Sequence, residues 1–206
     1  MDQLQQYQMQ MLSDPDFRER IEGMAKSLEK VPPGPKRAEF AHQFADGLLK
    51  HDLDNLSQDI KDQINCKDSC GNCCYIMVAI TDDEADLIIR DIKERGLYID
   101  VERLERQKKA EATTGQEYMQ RISYKNRRCV FLNDADNCKI YKHRPLSCRG
   151  YVAIGGPIPC DTREGTMGVP CVMSKNQLMI ECAATLACGR EELGAGLMAE
   201  KLLERL

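Results

Sequence analysis

Four cysteines stand within nine residues, Cys66-Lys-Asp-Ser-Cys70-Gly-Asn-Cys73-Cys74, and eight of the eleven in this 206-residue chain fall between Cys66 and Cys160. Core packing does not call for thiols at that density. A solitary buried cysteine behaves as a small hydrophobe, whereas crowded thiols act as soft metal ligands, form disulfides or exchange electrons. Any fold of this chain must therefore give those sulfurs a common purpose.

Length and charge narrow the choice. A chain of 206 residues can build an ordinary hydrophobic core, so disulfide staples are not required for folding. The net charge of −4 supplies no attraction toward nucleic acid or an anionic membrane, and basic spots such as Arg127-Arg128 are small. The Gln-rich stretch Met1 to Gln10 lacks a basic segment followed by an apolar one, and no apolar run approaches the roughly 20 residues of a membrane span. The expectation is a soluble cytoplasmic protein with no nucleic-acid or membrane partner. In that reducing compartment clustered thiols hold metal or do redox chemistry in preference to forming disulfides.

The pattern predicts an α+β fold, mostly helical, with a cysteine-rich metal-binding core that carries a small β-hairpin. Residues 1–65 read as a helical arm, a scaffold or oligomerisation element. Ser13-Asp14-Pro15-Asp16 starts one helix, with Phe17, Ile21, Met24 and Leu28 at helical spacing. Pro32-Pro33-Gly34-Pro35 interrupts, and a second helix runs from Lys36 with Phe40, Phe44, Leu48 and Leu49 as its apolar stripe. Leu53, Leu56, Ile60 and Ile64 extend or restart it. Residues 66–173 form the cysteine-rich domain. Within it, Tyr75 to Ile80 suits a buried strand, and Thr81-Asp82-Asp83-Glu84 is a capping box whose acidic residues suit a helix N-terminus; that helix stops at Gly96. A polar helix spans about 101–122. Residues 129–141 read as two short strands around an Asn/Asp turn. Residues 174–206 are C-terminal helices, about 174–187 and 191–206, packing on the same core.

The spacing of the cysteines carries the chemistry. Cys70-Gly-Asn-Cys73 is the two-residue spacing that lets one ion take both thiolates from a tight turn, where Gly71 and Asn72 tolerate left-handed backbone. Cys66 can reach the same ion. If Cys73 and Cys74 are extended, their thiols face opposite ways and suit two neighbouring sites. A hairpin brings Cys129 beside Cys138, and the Arg144-Pro145 turn returns Cys148 to them. Eight thiolates suffice for two four-coordinate zinc sites, or for an iron–sulfur cluster with thiols to spare. Ile140 and Tyr141 would shield such a centre, and Arg144 or Arg149 would offset its negative charge. Cys182 and Cys188 read as core residues. His42, His51 and His143 are poor ligands, with His143 placed on an exposed turn. Cys66-x3-Cys70-x2-Cys73 also matches the cluster triad of radical S-adenosylmethionine enzymes, but the strand–helix series of that fold does not follow.

Cys66-x3-Cys70-x2-Cys73-Cys74, followed by Cys129-x8-Cys138-x-Ile140-Tyr141-x2-Arg144-Pro145-x2-Cys148-Arg149, resembles the YkgJ-type cysteine-cluster family of zinc- or iron-chelating domains. A related cysteine domain occurs in flagellin lysine methylases. The resemblance covers about Cys66 to Cys160 and implies a ligand set of Cys66, Cys70, Cys73, Cys74, Cys129, Cys138 and Cys148, with Cys160 as the eighth unless Cys171 replaces it. It implies zinc or iron as cofactor and leaves activity and catalytic residues open.

Two functions from different classes compete. One is a metal-binding protein without catalysis, its zinc or iron held by thiolates. The other is an iron–sulfur enzyme carrying out methyl or electron transfer on a protein partner. A thiol redox protein, oxidised reversibly at Cys73–Cys74 or Cys70–Cys73, is a third reading.

Overall fold

Asp14 starts helix α1 (Pro15–Leu28) by accepting a hydrogen bond from the Asp16 N–H at 3.0 Å, with proline in the first turn where no donor is missed; residues 9–13 before it are also helical. A computed structural model describes residues 9–64, 66, 70–112, 114–154, 160, 162–163, 171–172, 174–189 and 196–206. The fold is α+β and mostly helical, with two-stranded antiparallel sheets. Helix α1 buries Phe17, Ile21, Ala25 and Leu28. The proline-rich break ends at Gly34, whose φ of 95° is open to glycine, and α2 (Pro35–Asp54) follows.

The stripe expected on α2 is not its buried face. Phe40 and Phe44 are 39% and 41% exposed, while Ala38, Ala41, Ala45, Arg37 and His42 point inward. Small alanines let the backbone of α2 approach its neighbours, and the inward Arg37 and His42 meet carboxylates described below. After the short helix α3 (Gln58–Lys61), a 3-10 turn at Asn72–Tyr75 takes the first residue of the segment expected to be strand. Of that segment, Ala79–Ile80 (β1) is the part that forms a paired strand.

Helix α4 (Asp82–Arg95) forms as its sequence predicts. Thr81 accepts from the Glu84 N–H, Glu84 accepts from the Thr81 N–H at 2.9 Å, and Gly96 ends the helix at φ 60°. The single polar helix expected at 101–122 divides into α5 (Val101–Lys108) and α6 (Gly115–Arg121). The chain turns at Glu111, φ 46°, and Thr114 caps the new start through Glu117 N. Then come α7 (Tyr124–Arg127) and the Asn/Asp turn, where Asn133 Oδ1 accepts from Ala135 N and Asn137 N. A single antiparallel bridge, Leu132 to Cys138, closes this turn in place of paired strands. Helix α8 (Leu146–Arg149) leads to β2 (Val152–Ala153), which pairs with β3 (Cys171–Val172). Helix α9 (Lys175–Ala187) is capped by Ser174. The second C-terminal helix is shorter than expected: Gly196–Leu197 is a strand, β4, paired with β1, and α10 covers Met198–Leu203. The first part of the expected helix, residues 191–195, lies outside the described residues.

Two apolar clusters result. In one, α1, α2 and α9 pack through Phe17, Ile21, Leu28, Ala41, Ala45 and Ile180. In the other, α4, α5 and α10 enclose Ile80, Ile88, Leu104, Phe131, Ile140 and Leu202, and Cys129, Cys138 and Cys148 pack against it. The first turn of α4 joins them. Asp83 accepts from Gly34 N at 2.6 Å and pairs with Arg37. Asp82 meets Lys201 Nζ at 2.7 Å and Arg205 at 2.9 Å. Glu84 lies 3.1 Å from His42 Nε2 and accepts from Leu146 N at 2.7 Å.

Burial would push the Glu84 carboxyl up, but His42 and the amides of Thr81 and Leu146 hold it below the ordinary range. Burial pushes Glu181 on α9 the other way, up to about 6, with the Glu84 charge adding to it. The two therefore have opposite linkage. Stability from Glu84 is present above its unfolded pKa and lost as pH falls through the lower folded one. Glu181 is best tolerated below its unfolded pKa, and that advantage is lost as pH rises through about 6. Urea denaturation should find Glu84→Gln destabilised by about 3 kcal/mol at neutral pH. Glu181→Gln should be stabilised by about 2 kcal/mol there and match the parent in acid. Equal behaviour of the two variants would refute the assignment.

Candidate metal centre

The two cysteine segments are stitched by backbone. Cys129 N donates to Cys74 O at 2.8 Å. Gly71, just before the 3-10 turn, packs under the Asn/Asp turn so closely that a Cβ would sit 3.2 Å from both Leu132 and Asp136. Its φ of −91° is open to any residue. Glycine is needed here for close approach, not for the left-handed backbone that the spacing predicted. Tyr75 stacks on Tyr124 at 4.3 Å and ties the same turn to α7.

Seven thiols consequently stand within reach of one another's charge. Cys66 senses Cys70 and Cys73; Cys74 senses Cys129 and Cys148; Cys129, Cys138 and Cys148 all sense Cys73. Burial pushes the Cys129 thiol up to about 12 and Cys148 well above its ordinary value, with neighbouring sulfurs adding to both. Burial also raises Cys138 and Cys66, the latter a residue with an exposed surface and a partly shielded sulfur. Cys73 and Cys74 share one proton: a thiol hydrogen bond between them lowers Cys73 and raises Cys74. These two residues lie on a 3-10 turn and not on an extended segment, and the thiol hydrogen bond, not opposed faces, relates their sulfurs.

Thiolates in this place have specific support. The amides of Phe131, Ile140 and Ala153 face the sulfurs of Cys129, Cys138 and Cys66, the last at 3.3 Å, and favour the ionised form. The two arginines separate cleanly. Arg144 lowers Cys73, Cys66 and Cys138 through its charge while its guanidinium lies 4.5 Å over the Tyr141 ring. Arg149 is a strut: it donates to Asp46 at 2.6 and 2.8 Å, to Arg144 O and to Lys142 O. Ile140 is buried at 1% exposure, but Tyr141 is 54% exposed and shields little.

The remaining candidates are placed as follows. Cys160 is buried, and the side chain of Cys171 lies outside the described residues. Cys182 packs partly buried against the α1–α9 cluster, and Cys188 caps α9 beside Asp83 and Arg37. His42 is engaged with Glu84 and His51 is exposed. His143 is not on an open surface; its side chain is 16% exposed and its Nδ1 lies 3.3 Å from Asp91. Glu84 was readable only as a capping residue, yet its charge reaches Cys148. Its position in the capping box concealed that second role.

The donor set suits a soft cation. Buried sulfurs that repel one another as thiolates, with amides and one guanidinium turned toward them, are the chemistry that zinc, iron or an iron–sulfur unit satisfies. None of the ten cysteines whose side chains are described is in a disulfide. Among the described residues, no three His, Cys, Asp or Glu side chains are yet closed around one point. No helix among them is long and apolar enough to cross a membrane.

Residues 65–175 match the family model CxxCxxCC, described as "Putative zinc- or iron-chelating domain". No curated protein and no solved structure matches the chain.

Because Arg144 favours the thiolates and Arg149 does not, substitutions there should diverge. Arg144→Met in reduced, metal-free protein should slow alkylation of Cys73 near neutral pH by roughly threefold to tenfold. Arg149→Met should leave that rate within twofold or so and lower the melting temperature instead. Mass-spectrometric mapping of alkylated cysteines across pH reads both.

Proposed function

From the membership of this chain in the CxxCxxCC family of zinc- or iron-chelating domains, we propose that it is a metal-binding protein whose cysteine thiolates hold zinc or iron. The observation that carries the proposal is the Cys129 N–H to Cys74 O hydrogen bond, which ties the two cysteine segments together. Cys66, Cys70, Cys73, Cys74, Cys129, Cys138 and Cys148 would hold the metal, with Cys160 or Cys171 as the eighth ligand. Zinc would supply a redox-silent cross-link, and an iron–sulfur unit one-electron chemistry. The chain's own part is to gather sulfurs, offset part of the cost of ionising them with amides and Arg144, and partly shield Cys129 and Cys148 from water.

The proposal places the metal domain at 66–173. Residues 1–65 and 174–206 serve as its helical support, and the protein works in the cytoplasm, where its thiols stay reduced. Cys66, with its exposed surface, marks the side from which metal or a protein partner would reach the centre. That openness keeps the second reading, an iron–sulfur enzyme acting on another protein, in play.

Anaerobic purification with elemental analysis, sulfide determination and an absorption spectrum tests both. Stoichiometric zinc without visible absorbance supports the first reading and removes the second. Iron with acid-labile sulfide does the reverse. Reduced protein that carries and takes up neither metal overturns both. For the loaded protein, chelation should lower the melting temperature by about 8–16 °C, the linkage expected of a ligand near a thousand times its Kd on a domain of this size. Cys129→Ser should lower metal stoichiometry, whereas Cys182→Ser should leave it unchanged.

A further inference from the structure

The face of α2 opposite its buried alanines carries a regular pattern that the fold of one chain does not use. Lys36, Phe40, Gln43, Gly47, Lys50 and Asp54 follow one another at alternating steps of four and three, and all six are exposed. That spacing draws a seam along a helix suited to packing against another helix at a shallow angle. Phe44 flanks the seam, its ring tilted against that of Phe40 with centroids 6.2 Å apart. Gly47 has nothing within 4 Å of the place a Cβ would take. Glycine weakens a helix interior, and no contact among the described residues asks for it here.

The charges of α2 divide along the same line. Arg37 pairs with Asp83, Glu39 with Arg90, His42 with Glu84 and Asp46 with Arg149, while Asp52 accepts from Asn176. On the seam, Lys36, Lys50 and the Asp54 carboxylate make no ion pair among the described residues, and Lys61 reaches only the Asp54 carbonyl. Lys36 and Asp54 also stand at the wrong ends of their own helix, whose first turn has no acid. A helix favours acid at its N-terminus and base at its C-terminus.

The geometry points to this seam as a homodimer interface, covered by the same seam of a second copy of the chain running antiparallel. The six positions are symmetric about Ala45. With a two-fold axis at that level, Lys36 faces Asp54 of the partner subunit, Phe40 faces the partner's Lys50, and Gln43 faces the partner's Gly47. Two ion pairs then close the ends, an ammonium meets each aromatic face, and the glycines let the backbones approach. The misplaced charges become well placed, because the partner's Asp54 lies beside the N-terminus of α2 and the partner's Lys36 beside its C-terminus. A parallel pair would set lysine against lysine and aspartate against aspartate. A partner of another sequence has no reason to match this symmetry. One helix pair is a small interface, so the dimer is weak and reversible. It does not depend on whether metal binds.

Sedimentation velocity of the whole chain in reductant, from about 1 µM to about 500 µM, should show a monomer–dimer equilibrium. Lys36→Asp and Asp54→Lys each give the isolated helix the end charge it prefers, so neither should impair folding. Each should nevertheless weaken the dimer about tenfold or more, by setting like charges together at both ends. Combined in one chain, the two exchanges re-form both ion pairs with signs reversed and should recover most of the lost affinity. Gly47→Leu, for which the monomer has room, should dissociate the dimer as well. A chain that stays monomeric across this range would overturn the proposal and leave the seam to another segment or another protein. A dimer indifferent to the single exchanges, or not rescued by the double one, would lie on a different surface and overturn it equally.

Discussion

Three consecutive carboxylates at the start of α4 must each find a partner, and their partners come from three different parts of the chain. Asp82 takes Lys201 and Arg205 from the C-terminal end. Asp83 takes Arg37 and the Gly34 amide from the N-terminal arm. Glu84 takes His42 from the same arm and Leu146 N from the turn that carries Cys148. Asp83 and Glu84 are buried, and a buried charge without a partner is strongly unfavourable. One helical turn therefore holds the arm, the cysteine segment and the C-terminus in a single arrangement. The ordinary preference of a helix N-terminus for acid is the smaller part of the reason those residues are there.

That junction lets the thiols occupy a place where they would otherwise be poorly tolerated. Leu146 enters the α1–α9 cluster while Cys148, two residues on, packs against the α4–α10 cluster. A short helix straddling two cores is difficult to displace. Cys129 and Cys138 are held likewise through Phe131 and Ile140, which are fully buried. The sulfurs are thus fixed by hydrophobic neighbours, not by attraction to one another. Burial and mutual repulsion both oppose their ionisation, and a bound cation would reverse that balance.

Much of this was legible in the sequence where a residue acts on its near neighbours. Asp14, Thr81, Ser174 and Gly96 announce helix ends because capping uses backbone groups two or three positions away. The Asn133 turn is readable for the same reason. The failures share a different cause. Phe40 and Phe44 look like a core stripe, but the neighbours of α2 admit only alanine-sized contacts and offer carboxylates to Arg37 and His42. Thr114-x-x-Glu117 is a second capping signal, overshadowed by the apparent continuity of a polar helix. Leu197 reads as helical until β1 supplies it with a strand partner.

For the cysteines the division is equally physical. Their number, spacing and thiol chemistry are properties of the sequence by itself, and these place the chain in the CxxCxxCC family. The tertiary structure decided which charges surround them. It chose Arg144 over Arg149 as the cation that favours thiolates, turned Cys73 and Cys74 toward each other, and brought Glu84 within range of Cys148. Spacing along a chain limits which sulfurs can meet. Coulombic effects depend on distance and burial in space, and those exist only once segments far apart in sequence have packed.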